Sequence, residues 1–365
     1  MSEYRTIRAL GIEAPGRLYL WNYDEAPPND GQVRLETLYS GFSAGTELTF
    51  VKGTNPYLSA RWDEDHGLFV PGQPAIAYPV AFAGYMEVGR VVESRTGDVR
   101  TGTVVGTTYG HKTGHTLDPQ IEPFASLPNN LDPILGIYVG QMGPICANGL
   151  LHAAAELFGT NVQSLGDGVR GRTVLVTGAG VVGLLTALFA RRHGAMHVLL
   201  SDPSPFRRER AAALGFEAVD ESGVGRLCKE RWGDGAGRDR GVDTAFQCRA
   251  QASSLHEALR ALRPQGSVID LAFHQGGADA LRLGEEFHHN GLNIRCAQIG
   301  RVPRGLGHLW NRRRLTAETI ELLFGEGPAI REHVITDVIP FEDAPAFVES
   351  LARDRRDFLQ VVFQA

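Results

Sequence analysis

The sequence predicts an α/β chain in which a doubly wound parallel sheet is joined to a mainly β segment, and three observations lead there. From Thr173 onward, short apolar runs alternate with stretches of helical spacing, as βαβ units require. A glycine string at Gly178 joins the first of those runs to the first of those helices. The first 130 or so residues read instead as short strands broken by glycine and proline turns. A length of 365 residues, at roughly 150 per domain, corresponds to about two domains.

Composition narrows the class further. Hydrophobic residues make up 43% and charged residues 21%, and the 44 glycines and 19 prolines follow no collagen-like period. The formal charge is −6 with no basic stripe to offset it, which argues against a nucleic-acid partner. Cys146, Cys228, Cys248 and Cys296 form no C-x-x-C pair, so neither a disulfide framework nor a structural zinc lobe is expected, and a cytoplasmic setting is. The N-terminus lacks the apolar core of a signal peptide. No uncharged apolar run reaches the roughly 18 to 20 residues of a membrane helix, so no membrane partner is expected. The runs Arg312-Arg313-Arg314 and Arg353-Asp354-Arg355-Arg356 read as solvated helix ends or subunit contacts.

Taken in order, Gln32–Tyr39 alternates in places and Glu87–Glu93 is rich in β-branched residues, so both are expected strands. Lys52–Pro79 keeps no clean period and carries Tyr57, Trp62 and Phe69 among charges, which suggests a long ordered loop or a lid. Apolar residues recur at helical spacing from Pro133 to Gly159, and Thr173–Thr177 (TVLVT) is a buried-strand run. There follow a helix at Val181–Arg192, a strand at His197–Ser201 and a helix at Pro205–Leu214. Next come a strand at Thr244–Gln247, a helix at Leu255–Leu262, a strand at Ser267–Ala272 and a last strand at Asn293–Ile299. A helix at Thr316–Phe324, a strand-like His333–Ile339 and a helix at Ala344–Arg353 close the chain.

Gly178-Ala179-Gly180-Val181-Val182-Gly183 matches G-x-G-x-x-G directly after TVLVT and at the start of a helix. The first glycine permits the tight turn, the second lets a pyrophosphate approach the backbone, and the third lets helix and strand pack closely. The helix N-terminus would offer amide donors and a partial positive charge to that pyrophosphate. Asp202 ends the next strand, 19 residues after Gly183, where an acid binds the adenosine ribose hydroxyls and repels a ribose phosphate. NAD is therefore the expected cofactor, with NADP admitted by Arg207 and Arg208 nearby. Gly178, Gly180, Val182, Gly183, Asp202, Arg207 and Phe273 are the candidate cofactor-binding residues.

With this fingerprint in place, the strings QVRLETLYSGFSAGTE, GYMEVGRVVES, VLVTGAGVVGLL, GVDTAFQC, ALRPQGSVIDLAF and VITDVIPFEDAPAFVESL resemble the medium-chain dehydrogenase/reductase superfamily. The resemblance runs along essentially the whole chain, and SAGTE and GYMEVGRVVE look closest to the zinc-free bacteriochlorophyllide hydroxyethyl dehydrogenases. It implies a catalytic domain with a partly open, GroES-like β-barrel from residues 1–132 and 301–365, and a Rossmann domain at 133–300. It also implies an active site in the cleft and a homodimer or homotetramer formed partly through the last Rossmann strand. Zinc members carry a Cys in a G-x-C-G-T-D-like string and a His-Glu pair in G-H-E-x-x-G; here Ala44, Tyr85 and Met86 stand at those positions. The third family ligand should fall near Cys146, and one thiolate does not hold a zinc ion, so no catalytic zinc is expected.

Without a metal, hydrogen-bond donors must stabilise and protonate the developing alkoxide. Thr46 matches the family's proton-relaying hydroxyl and Tyr85 stands where a liganding His would point into the cleft, so these two are the candidate catalytic residues, with Glu47 in support. Of the histidines His66, His111, His115, His274, His288 and His289, the likeliest to meet substrate are expected to be His115 and His274, with Asn148 beside the nicotinamide. The expected function is a zinc-independent, NAD(H)-dependent oxidoreductase that interconverts a secondary alcohol and a ketone on a small molecule. An NADPH-dependent enoyl or quinone reductase and a non-catalytic nucleotide-binding protein are the alternatives.

Overall fold

The computed structural model describes residues 3–233, 237, 239–354 and 356–365, so Arg355 of the second charge run lies outside the described residues. The chain divides into two compact units, one of residues 1–141 with 335–365 and the other of residues 142–334.

The first unit opens with an antiparallel hairpin, β1 (Arg5–Ala14) and β2 (Arg17–Glu25), turned at Gly16 with φ +75°. Strand β3 (Val33–Phe42) leads almost directly into helix α1 (Ala44–Val51). The expected loop or lid at Lys52–Pro79 contains a small hairpin, β4 (Ala60–Asp63) and β5 (Leu68–Pro71). Its aromatics explain the difference, because Trp62 and Phe69 are direct cross-strand partners with ring centroids 5.2 Å apart. Strands β6 (Glu87–Ser94), β7 (Val104–Thr107), β8 (Gly114–Leu117) and β9 (Phe124–Ser126) complete the N-terminal part. Val33, Leu35, Val91, Val99, Val105 and Leu117 close one core of this unit, each fully buried Val or Leu contributing about 1.5–3 kcal/mol.

The helical spacing from Pro133 to Gly159 resolves into a 3-10 turn at Pro133–Tyr138 and helix α2 (Met142–Phe158). The 3-10 turn packs on β3, β6 and β7, so the first unit extends past the expected boundary at 132. In the second unit the strands are β10 (Thr173–Thr177), β11 (His197–Ser201), β12 (Glu217–Val219), β13 (Val242–Gln247), β14 (Leu262–Asp270) and β15 (Asn293–Cys296). All are paired in parallel, in the order β12-β11-β10-β13-β14-β15. The crossover helices are α3 (Val181–Arg192), α4 (Pro205–Ala213), α5 (Val224–Arg231) and α6 (Ala252–Ala261). The strand order runs outward in both directions from β10, which makes the carboxyl end of β10 the topological switch point where such sheets bind ligands.

Helix α7 (Arg312–His333) is longer than the expected Thr316–Phe324 and continues through Pro328. Its buried face of Leu315, Thr319, Leu322, Leu323 and Ile330 packs on α2 and α3, and this contact overrides the local helix-breaking signal. It also moves the second boundary from the expected 300 to Val334. The chain then returns to the first unit as β16 (Ile335–Pro340), α8 (Ala344–Arg353) and β17 (Gln360–Gln364). β17 pairs in parallel with β16 and antiparallel with β3, placing Val361 opposite Phe42 and Phe363 opposite Ser40. The resulting mixed sheet runs β16-β17-β3-β6-β7-β9, with β8 also on β3. No described helix is long and apolar enough to cross a membrane.

Candidate active site

The second unit builds a glycine turn at the carboxyl end of β10, whose five residues are all buried. Gly178 sits at φ +93°, a conformation that L side chains rarely adopt, and a Cβ there would lie 2.8 Å from that of Arg249. A Cβ on Gly183 would lie 1.8 Å from the Gly178 carbonyl oxygen, so helix α3 approaches β10 only because this residue has no side chain. Gly180 differs from both: a Cβ there would meet only Arg207 Nη1, at 3.8 Å. Gly180 is the N-cap of α3 and makes no side-chain cap bond. The three glycines thus divide into one for conformation, one for clearance and one for packing, and the open cradle at Gly180 fits a dinucleotide pyrophosphate. Val182, in the first turn, is half-buried and its carbonyl accepts from Thr186 Oγ1 at 2.7 Å.

Asp202 holds this turn together. Its Oδ2 accepts the Ala179 N–H at 2.9 Å and its Oδ1 accepts the Ser204 N–H at 2.9 Å. The side chain is only 1% exposed, and the N-cap of α4 is Ser204, whose Oγ accepts from the Arg207 amide. Arg207 Nη1 lies 3.7 Å from Asp202 Oδ2, while Arg208 Nη1 donates to the backbone oxygens of Asp202 and Pro203. Arg249, which sequence reasoning missed, packs against Gly178 and pairs with Glu221. No motif marks Arg249, because its position depends on where β13 ends relative to the glycine turn.

Several expected contacts have other partners. Asn148 is fully buried, and its Nδ2 lies 3.2–3.4 Å from the carbonyl oxygens of Ala297, Gln298 and Arg301. Through Nδ2 this amide ties down the segment after β15. Phe273 is 41% exposed, and His274 Nε2 bonds Asp270 Oδ2 at 2.9 Å. In the first unit His115 is engaged on both nitrogens, with Glu122 at 2.7 Å and Lys112 at 3.2 Å, and it stacks on Tyr109. That arrangement fixes the ring within the protein and leaves the expected substrate contact without a free nitrogen.

Thr46 and Tyr85 do come together in the first unit. Thr46 lies in the first turn of α1 and Tyr85 immediately before β6; the Tyr85 hydroxyl bonds Ser43 Oγ and donates to Thr46 Oγ1 at 3.4 Å. Burial, joined by the charges of Glu47 and Glu87, holds the Tyr85 hydroxyl above the ordinary tyrosine range, so it is a neutral donor. Behind these hydroxyls lies a buried polar cluster. His111 Nε2 meets Glu47 Oε2 at 2.7 Å and His111 Nδ1 meets Ser40 Oγ at 2.5 Å. Ser40 Oγ donates to Glu87 Oε1 at 3.1 Å. The Ser40 hydroxyl thus links the His111 ring to Glu87. Burial pulls the His111 pKa down, but Glu47 and Glu87 outweigh it and the net direction is up. Burial pushes the Glu87 carboxyl up to about 7, against the opposing pull of His111, the Gly110 amide and Ser40.

Sequence reading found Thr46, Tyr85 and the supporting Glu47 but passed over Ser40, Ser43 and Glu87. A signal existed for Glu87: the alternation of β6 puts it on the same buried face as Gly89 and Val91. The serines lie within the string that carries Thr46, and only the pairing of β3 with β6 and the first turn of α1 brings them to it.

At the positions where the sequence resemblance expects metal ligands, Ala44 has no ligand atom and the Met86 side chain is completely buried. Cys146 points its thiol at the Val182 carbonyl oxygen at 3.4 Å, and burial pushes that thiol up to about 12. Among the described residues the one group of three side chains spaced for a metal is His256, Glu285 and Glu286, none of them at these positions.

Residues 181–304 match the family described as zinc-binding dehydrogenase. Over 348 residues the chain is 24% identical to a D-guloside 3-dehydrogenase of Shigella flexneri, covering 93% of this chain and 94% of that protein. It is 35% identical over 168 residues to an L-threonine 3-dehydrogenase of Pyrococcus abyssi, covering 46% of this chain and 44% of that one. Among solved structures it is similar to a putative zinc-binding dehydrogenase of Sinorhizobium meliloti bound to NADP. That likeness has a TM-score of 0.73 at 19% identity and covers 99% of this chain and 100% of the other.

Proposed function

We propose that the chain is a nicotinamide-dependent alcohol dehydrogenase of the medium-chain, zinc-binding dehydrogenase type that works without catalytic zinc. One observation carries the metal-free part: Tyr85 stands at a ligand position and presents a hydroxyl, held by Ser43 and Thr46, where the family places an imidazole. Ala44 and Met86 offer no thiolate, imidazole or carboxylate, and one cysteine, its thiol turned to the Val182 carbonyl oxygen, does not make a zinc site.

When bound, the dinucleotide supplies the hydride for reduction of a ketone or accepts it from a secondary alcohol. The rest of the chemistry falls to the protein. As hydride reaches the carbonyl carbon, negative charge grows on oxygen, and the Tyr85 and Thr46 hydroxyls are the donors that would stabilise it. The Tyr85 proton completes the alcohol and leaves a tyrosinate, to which the Ser43 hydroxyl can donate; in the reverse direction that tyrosinate takes the proton from the substrate hydroxyl and becomes neutral again. The elevated Tyr85 pKa supports the donor role, since the group stays protonated through neutral pH.

Gly178, Gly180, Gly183 and the α3 N-terminus would hold the dinucleotide, NAD in this reading, with the buried Asp202 carboxylate shaping the turn through the Ala179 and Ser204 amides. Substrates with a secondary hydroxyl on a polyol or hydroxy-acid frame fit relatives named for a guloside and for threonine. A cytoplasmic setting fits the four free cysteines, and a homodimer or homotetramer is what the family resemblance implies. The comparisons do not favour an enoyl or quinone reductase or a non-catalytic binding protein. The test is to assay purified protein with NADH and NADPH against a carbonyl panel, and with the oxidised cofactors against polyols and hydroxy acids. Hydride transfer to a ketone that Tyr85→Phe cuts by about 10²-fold or more supports the reading. Cofactor binding without turnover of any carbonyl or alcohol overturns it.

A further inference from the structure

We propose that the buried His111–Glu47 pair is the positioning device for Tyr85, fixing its hydroxyl where proton transfer would need it. This rests on the reading of Tyr85 as the donor. Two routes lead from the pair to the tyrosine. The first is polar and divides the Glu47 carboxylate: Oε2 meets His111 Nε2 at 2.7 Å, and Oε1 accepts the Ser43 N–H at 2.7 Å. That bond sets the first turn of α1, from which Ser43 Oγ and Thr46 Oγ1 hold the Tyr85 hydroxyl. The second route is steric. The His111 ring lies on Gly84, the residue before Tyr85, which sits at φ +94°, and a Cβ there would fall 2.8 Å from Nε2. The ring therefore fills the space beside the backbone that carries Tyr85, and only glycine leaves that space open.

His111 is itself locked. Its side chain is 0% exposed, its Nδ1 is bonded to Ser40 on β3, and the rings of Phe42 and Phe363 flank it at 6.3 and 5.1 Å. A group this enclosed meets no substrate, so it can act only through what it holds. Burying an imidazole between two carboxylates is costly unless each donor is used. Here both nitrogens are bonded, and the Glu47 partner also fixes the element that bears the catalytic hydroxyls.

The experiment incorporates 3-fluorotyrosine and follows the Tyr85 fluorine resonance, identified by its loss in Tyr85→Phe; it needs no substrate. Glu47→Gln and His111→Gln are expected to shift or broaden that resonance. Val99→Ala, which destabilises the separate core around Leu35 and Val105, is expected to leave it in place. If His111→Gln does not fold, Glu47→Gln decides alone, because it keeps the side-chain shape. On turnover of the first carbonyl reduced by the wild type, Glu47→Gln is expected to lower kcat by roughly 10- to 100-fold with the cofactor KM unchanged. In the Tyr85→Phe background it is expected to add nothing further. An unmoved Tyr85 resonance, an equal shift in Val99→Ala, or losses that multiply in the double variant would each overturn the proposal. If Tyr85→Phe itself leaves turnover intact, the donor reading fails, while the fluorine shift still decides the positioning.

Discussion

Glu87 gives the buried cluster a signature in stability. Its carboxyl is pushed from 4.5 to about 7 by burial, so the folded state favours the protonated form more than the unfolded state does. Stability from this group is fully present below about pH 4.5 and is lost as pH rises through about 7; the raised His111 acts in the same sense. Glu87→Gln, which fixes a neutral side chain, is expected to flatten the fall of Tm between about pH 5 and 7, read by scanning calorimetry in a pH series. An unchanged slope would mean that Glu87 titrates normally. At the glycine turn, Asp202→Ala strands the Ala179 and Ser204 amides and is expected to weaken NADH binding by roughly tenfold or more, as charged hydrogen bonds are worth about 1.5–3 kcal/mol. Fluorescence titration measures it, and an affinity within twofold of wild type would deny Asp202 its role. Thr46, Tyr85 and Asp202 could be singled out from sequence because each sits in a string with fixed spacing. His111, Ser40 and Glu87 converge from separate strands and loops, and no local pattern encodes that convergence.

Elements built on period and punctuation were the readable ones. The run TVLVT, the glycine turn and α3 match expectation residue for residue, since a buried strand and a tight turn leave few alternatives. The β4–β5 hairpin escaped because cross-strand aromatic pairing shows no local period, and α7 was read short because Pro328 signals a stop that its packing on α2 and α3 overrides. Two glycine variants separate packing from clearance within one turn. Gly183→Ala is expected to lower Tm sharply and abolish cofactor binding, because its Cβ collides with the Gly178 oxygen at 1.8 Å. Gly180→Ala meets no backbone, so Tm is expected to stay near wild type while NADH affinity falls by about tenfold or more, the methyl occupying the cradle for the pyrophosphate. Equal effects of the two substitutions on Tm would refute this division.

For the whole molecule, the interrupted arrangement was legible in outline because strand-rich, βαβ and mixed segments follow one another along the chain. The boundaries were not, since they depend on which unit the 3-10 turn at Pro133–Tyr138 and helix α7 pack against. The chain carries its glycine turn at the start of a stretch that matches a family described as zinc-binding, and Ala44, Tyr85 and Met86 stand where the sequence resemblance expects metal ligands. The most direct measurement is turnover before and after exhaustive chelation, with zinc per chain quantified by plasma mass spectrometry on the same samples. The account predicts unchanged hydride transfer at zinc far below one ion per chain; stoichiometric zinc whose removal abolishes turnover and whose return restores it would contradict the account.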